Sequence, residues 1–392
     1  MKSILYLFVF VFTATALAQN SEVHLFDIKN TDGQLALVNH RNISNNEGYD
    51  NQPSFYNDNL LAFVSTRNNQ TDIATFNIRD NKVSFINSTP NGGEYSPIKI
   101  PNSKDVSAVR LDNDGKQRLY RYNLETGEST ELLKDIVVAY YTWYDKNTVV
   151  SAVIEDDGLN LFVTDIRNQK SRKYATNVGR SFHKIPNSKL VSFIAKAEDY
   201  WTVKSLNPIT GETAVISKLP SKTEDICWLI DGSLIIPLGN EIYRYNPKTD
   251  KLFYTLATFK DDNLQNISRI TTNNTGTMLA LVSLASPELI VQKQLDAYNA
   301  RDIDAFMETY SDDIKLYNFP DKLRLKGQSA MKESYKGFFE NTPDLNCKIL
   351  YRNVTGNKVI DHELVTADGS TFKAIAVYEV ENGLISKVTF IN

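Results

Sequence analysis

Cysteine is almost missing from this chain: Cys227 and Cys347 are the only two in 392 residues. Both sit in apolar, strand-like stretches far apart in sequence, which predicts buried free thiols rather than a bridge. The fold must then be held by burial, even where the compartment permits a disulfide. Histidine is equally scarce, with His24, His40, His183 and His362 the only four, and no pair has metal-ligand spacing. No metal site and no cofactor is therefore expected. Neither sign of charge dominates: 43 Lys and Arg face 47 Asp and Glu, a net −4. A basic face is the usual footprint of nucleic-acid binding, so that class of partner is not supported. Beyond the first dozen residues no apolar run approaches the length of a membrane span.

That first run reads as an export signal. Lys2 supplies the charged start, Ile4 to Phe12 the apolar stretch, and Ala16-Leu17-Ala18 a small-x-small cleavage site. Residues 1–18 are expected to be removed, and no Cys follows to carry a lipid anchor. An exported protein, periplasmic or secreted, is the expectation. Twenty Tyr and nineteen Phe against three Trp suit a strand-rich chain.

A repeat organises residues 21–283. Its core is apolar–x–x–apolar or aromatic–Asn/Asp, as in Ile73…Phe76-Asn77, Leu119…Tyr122-Asn123, Val203…Leu206-Asn207 and Ile242…Tyr245-Asn246. Lys99-Ile-Pro-Asn-Ser-Lys104 recurs letter for letter as Lys184 to Lys189. Units start near Pro53, Ser96, Tyr141, Ser181, Ile226 and Ser268, a period of 40–45 residues. Four short strands per such period are the signature of a propeller blade. Asp114-Gly115 and Asp231-Gly232 mark hairpin turns, and Thr126-Gly127 and Thr210-Gly211 mark turns after third strands. Asp112-Asn113-Asp114-Gly115 is read as such a turn, because it lacks the further ligands of a calcium loop.

One copy, Val23…Phe26-Asp27, stands at the head without a strand pair before it, while the pair at Ile270 to Val282 has no copy after it. Joining them completes a sixth unit, with residues 21–39 as the outer two strands. The expected architecture is mainly β: a six-bladed propeller over 19–285 closed by N-terminal strands, followed by an α+β cone over 286–392.

Gly48-Tyr49-Asp50-Asn51-Gln52-Pro53-Ser54-Phe55, Thr71-Asp72-Ile73 and Glu94-Tyr95-Ser96-Pro97 carry a resemblance to the WD40-like repeats of TolB-type proteins of the bacterial envelope. The resemblance implies the ring but leaves its use open, since one scaffold hosts many functions. Tyr49, Asn51, Glu94, Tyr95, Tyr140, Tyr141, Arg180 and Asp225 would line one mouth of the channel. They either pack between blades or form a docking face for an envelope protein or peptide.

After Val282 the periodicity changes. Ser286-Pro287-Glu288 is a helix start. Val291, Leu295 and Tyr298 share one face; Asp302 opens a second helix bearing Phe306, Met307 and Tyr310; a third runs near 328–340 with Met331, Tyr335 and Phe338 aligned. Strands are expected at 314–319, 346–354, 357–365, 371–380 and 384–391, with Asn382-Gly383 as a hairpin turn.

Tyr298-Asn299-Ala300-Arg301-Asp302, Val359-Ile360-Asp361-His362-Glu363 and Ala376-Val377-Tyr378-Glu379-Val380 resemble SnoaL-like, steroid-isomerase-like members of the nuclear transport factor 2-like superfamily. That fold implies a pocket between helices and sheet, here with Tyr298, Tyr317, Phe319 and Tyr335 as candidate lining. Ketosteroid isomerase needs an Asp base with a Tyr and a protonated Asp as oxyanion donors. Aligned approximately, those places fall on Asn318, Gln294 and Ala376, none of which can fill its role. His362 is the remaining acid/base candidate, with Tyr378 beside it, unless it is bonded within the sheet. Alternating Ile375, Val377, Val388 and Phe390 leave apolar side chains for both faces of the sheet, so its outer face is a candidate homodimer contact.

Two uses follow. The first is a non-catalytic exported binding protein, with the ring as docking surface and the cone as a pocket for a small apolar molecule. The second is an enzyme acting on a small hydrophobic substrate through His362. A propeller hydrolase finds little support, because no Gly-x-Ser-x-Gly elbow follows the repeats.

Overall fold

The computed structural model describes residues 20–391 apart from 47, 69, 91, 157, 261–263, 285 and 382. The expected leader at 1–18 and Asn382 of the expected hairpin turn lie outside the described residues. Five successive antiparallel meanders of four strands occupy 50–85, 93–131, 138–175, 178–218 and 227–258. The sixth four-stranded sheet is discontinuous: Arg269–Thr272 and Met278–Leu284 are followed in space by Ser21–Thr31 and Gln34–Asn42. Val23 lies opposite Val282 and Phe26 opposite Leu279. His24 fastens this seam from both sides, with Nε2 2.9 Å from Ser283 Oγ and Nδ1 2.9 Å from His40 Nε2.

Strand alternation gives each sheet two apolar faces, and each face is covered by the next sheet. Ile73 of the first sheet packs with Val106 and Tyr122 of the second. Val109 and Leu119 meet Tyr141 and Trp143; Leu161 meets Phe182 and Phe193. Ile194 and Val203 meet Trp228 and Leu234, and Ile235 and Ile242 meet Phe26 and Leu281. Val23 and Val282 then pack on Leu61 and Phe63 of the first sheet, so the succession returns to its start.

Polar ties repeat along with the apolar ones. Trp143 Nε1 donates to Ser107 Oγ at 2.8 Å, and Trp228 Nε1 donates to Ser192 Oγ at 2.8 Å. The two pairs are offset by 85 residues, the same spacing as the two Lys-Ile-Pro-Asn-Ser-Lys copies. Gly127 shows what its turn demands: φ is +73°, and a Cβ there would collide with the Ile86 carbonyl. The Asp112 to Gly115 segment is a turn, with Asp112 bound by Arg110 and Arg118 and Asp114 by Arg118.

Helix α1 (Pro287–Ala300) starts with the Ser286 side chain accepting from the Glu288 N–H and ends at Arg301 in the left-handed region. Helix α2 (Ile303–Met307) is capped by Asp302, and α3 spans Gln328–Asn341. They lie on a six-stranded sheet ordered 322–326, 310–318, 384–391, 370–381, 358–367, 346–355. Strand Lys322–Lys326 is additional to the five expected. Tyr310 opens strand Tyr310–Asn318 instead of ending a helix, because α2 stops after five residues. On α3 the fully seated aromatic is Phe339; Phe338 is exposed. Phe306 centres the core, its ring 5.0 Å from Tyr310, 4.9 Å from Tyr335 and 5.3 Å from Phe339. Cys227 and Cys347 are buried free thiols.

Candidate functional site

Strand Lys358–Ala367 alternates buried and solvent-facing residues, placing Val359, Asp361, Glu363 and Val365 under the helices. The two acids meet different fates. Asp361 receives Arg352 through two parallel bonds, Nε to Oδ1 and Nη2 to Oδ2, each 2.7 Å. Arg352 also donates to Gln292 Oε1 at 2.8 Å. This fork leaves Asp361 a paired structural group. Glu363 has no such cation among the described residues. Its Oε1 accepts from the Tyr378 hydroxyl at 3.0 Å, and both side chains are buried.

Glu363 and Tyr378 border a cavity of about 400 Å³ between α1, α3 and the sheet. Leu295, Val365, Ala374 and Phe390 make apolar walls; Gln294, Tyr298, Tyr310 and Tyr335 add polar edges; Arg324 and Phe372 stand at the exposed rim. Burial dominates the electrostatics. It pushes the Glu363 carboxyl up to about 7, against the smaller opposing effect of the Tyr378 hydrogen bond. Burial also raises Tyr298, Tyr310, Tyr335 and Tyr378, so their hydroxyls stay protonated. The Cys347 thiol is pushed up to about 12, which removes it as a nucleophile. The arrangement offers neutral donors, one carboxyl that titrates near neutrality, and aromatic walls. It can hold a flat molecule by its polar group, and it can move a proton at Glu363.

The expected pocket residues divide. Tyr298, Tyr335 and Tyr378 line the cavity, and so does Gln294. Tyr317 borders a separate depression with Lys315, Glu379 and Lys387, and Phe319 is 63% exposed. His362 requires a correction: it is solvent-exposed on the opposite face of its strand, edge to face with Tyr351 at 6.0 Å between ring centres. Period-two alternation puts it outside whenever its neighbours are inside. It therefore cannot act in the cavity. Asn318 is half-buried outside the cavity, and Ala376 is buried opposite Asp361. Glu363 is the site residue that sequence reasoning misses; its signal is an acid in register with Val359 and Val365.

The expected mouth of the repeat region also divides. Asn51, Glu94 and Tyr141 are buried, so they are not docking residues. Asn51 Nδ2 reaches Ser21 Oγ, Glu94 accepts from Tyr122 at 2.9 Å, and Tyr141 bonds Ser107 Oγ at 2.8 Å. Tyr49, Tyr95 and Arg180 are half-buried, and the two tyrosine rings are 6.4 Å apart.

Comparison with known proteins bears on the C-terminal part. Residues 291–388 match the SnoaL-like domain family. Similar solved structures include a cystatin-fold protein from Novosphingobium aromaticivorans, 28% identical, covering 27% of this chain and 98% of that one, with a TM-score of 0.26. A nuclear transport factor 2-like protein from Cytophaga hutchinsonii is 16% identical over 27% of this chain and 88% of its own, with a TM-score of 0.24. A SnoaL-like protein from Burkholderia thailandensis is 19% identical over 26% and 91%, with a TM-score of 0.24. No curated protein matches the sequence.

Proposed function

We propose that this is an exported binding protein whose C-terminal cone takes a small, largely apolar molecule bearing one hydrogen-bonding group. The observation that carries the reading is the aromatic-walled cavity with the Glu363–Tyr378 pair on its border. In the same reading the repeat region closes as a six-bladed propeller of the TolB type and serves as a docking scaffold. Support for the ring comes from the unbroken succession of six apolar interfaces and the shared sixth sheet. The outer face of the cone's sheet, with Tyr351, His362, Ile375 and Ile391 in one row across four strands, is the proposed homodimer contact.

2-Naphthol, a flat phenol with intrinsic fluorescence, is a suitable probe. Wild-type protein should bind it, Ala374→Trp should fill the cavity and block it, and His362→Ala should leave it unchanged. Absence of saturable binding to the wild type sinks the reading.

A second reading, an enzyme working by acid/base chemistry, is favoured by one observation: a buried carboxyl that titrates near neutral pH beside a hydroxyl donor. Glu363 takes the place of His362 in it. Deuterium exchange at the α-carbon of 2-tetralone, followed by NMR, should proceed with the wild type and stop with Glu363→Gln. Equal exchange by both proteins removes it.

A further inference from the structure

Six side chains, each at or within two residues of the start of the first strand of its sheet, lie close together. These are Tyr49, Tyr95, Tyr140, Arg180, Asp225 and Arg269, one from each sheet in order. They are neighbours although up to 220 residues separate them. Tyr49 and Tyr95 stand edge to face, and Tyr49 feels the charges of both arginines. The Arg269 guanidinium lies 5.5 Å from the Tyr140 ring centre and 3.6 Å from Asp225 Oδ2. Arg180 Nη2 crosses to donate to the Ser268 carbonyl at 2.7 Å, spanning the fourth and sixth sheets.

The charges here do not balance. Two guanidiniums face one carboxylate, and Glu224 nearby is held by Lys196. Burial pushes the Tyr49 phenol up to about 12 and also raises Tyr95, so these two stay neutral donors. Arg180 Nε and Ser268 Oγ are buried with no hydrogen-bond partner. Burial first, and then the neighbouring Arg269, lower the Arg180 pKa by more than Asp225 and Glu224 raise it. Buried polar groups left unpaired are costly, and a ligand that pairs them recovers that cost.

We propose that this centre is a binding site for one carboxylate group attached to an apolar or aromatic body. One negative charge matches the net positive charge of two arginines and Asp225, whereas a doubly charged phosphate would overshoot it. A planar carboxylate fits the guanidinium fork, and the tyrosines flank the group it is attached to. The proposal rests on the ring reading given above, but it is tested separately from it.

The test uses the full chain with Ala374→Trp as background, so that the cone cavity does not contribute. Benzoate should bind by calorimetry, while benzamide should not. Arg180→Gln should weaken benzoate at least tenfold, with Arg180→Lys intermediate and both variants keeping the parent melting temperature. Where Arg180→Gln fails to fold, Tyr49→Phe serves in its place, with a smaller loss. Two peptide arms identify the source: acetyl-Ala-Ala-Phe with a free C-terminus, and its amide. Tighter binding of the free acid than of benzoate assigns the site to a chain terminus, and weaker binding assigns it to small acids. Benzamide or the peptide amide binding as well as its acid, or no benzoate binding to a folded protein, overturns the proposal. The docking-scaffold reading fails by a different sign: the six sheets would prove not to be closed by residues 21–39.

Discussion

Replacing Glu363 by Gln should make the cone more stable at high pH and leave it nearly unchanged at low pH. The carboxyl is buried and its folded pKa stands at about 7 against an ordinary 4.5. A raised carboxyl pKa means the folded state holds the proton more tightly than the unfolded chain. The favourable contribution is therefore complete below about 4.5 and lost as pH rises through about 7. That shift corresponds to about 3 kcal/mol as an upper bound, since each pKa unit is about 1.4 kcal/mol. The glutamine side chain carries no proton equilibrium, and its amide oxygen can still accept from Tyr378. The difference between variant and wild type should then grow by up to about 3 kcal/mol between pH 4.5 and 8. Asp50, also raised to about 7 by burial, titrates in both proteins and cancels from the difference. Urea unfolding should be followed by helical circular dichroism, because all three described helices lie in the cone. Tryptophan fluorescence would miss it: Trp143, Trp201 and Trp228 all lie in the repeat region. A difference that stays flat with pH refutes the assignment of Glu363 as a titrating buried acid.

Arg352→Ala strands the Asp361 carboxylate in the core and should cost about 3–5 kcal/mol in cone stability. The double change Arg352→Met with Asp361→Leu should recover most of that loss, measured by the same urea titration. Val23→Asp places a charge at a fully buried position between the sixth and first sheets. It should unfold the repeat region or lower its stability by at least about 3 kcal/mol, read from tryptophan fluorescence.

The strand pairing at the seam is legible in the sequence because the repeat pairs each motif with a preceding strand hairpin, and the head alone lacks one. Repetition makes a missing part visible. The cone is legible in its helix starts, since Ser286-Pro287 and Asp302 are capping chemistry that acts locally. Its second helix is shorter than the spacing predicts, because Phe306, Met307 and Tyr310 have helical spacing whether or not the chain stays helical. Tyr310 reaches the same core from a strand. His362 stands out as a rare residue type, and rarity carries no information about which face it occupies. Glu363 can be found only by asking which face of strand Lys358–Ala367 is buried, and Val359 and Val365 answer that. Similarly, Asn51, Glu94 and Tyr141 sit at the right height to border a mouth, but their partners Ser21, Tyr122 and Ser107 come from other strands. The Asn51 and Tyr141 partnerships cross from one sheet to the next and the Glu94 one crosses its own sheet, and the spacing of the repeat states none of them.

The seam and the centre of the repeats are linked by the order of folding. Each of the first five sheets is a local meander whose contacts are close in sequence. The sixth joins residues more than 230 apart, so its closure entropy is paid last. Arg269, which opens that sheet, is also one of the two arginines at the centre, and the Arg180 guanidinium reaches across to the neighbouring Ser268. Closing the seam therefore fixes the sheet that brings the second positive charge beside the first. An anion that pairs both would favour the closed state over the open one by mass action. Loosening the seam with Val23→Asp should accordingly weaken benzoate binding, even though Val23 lies in an inter-sheet core and contributes no group to the site.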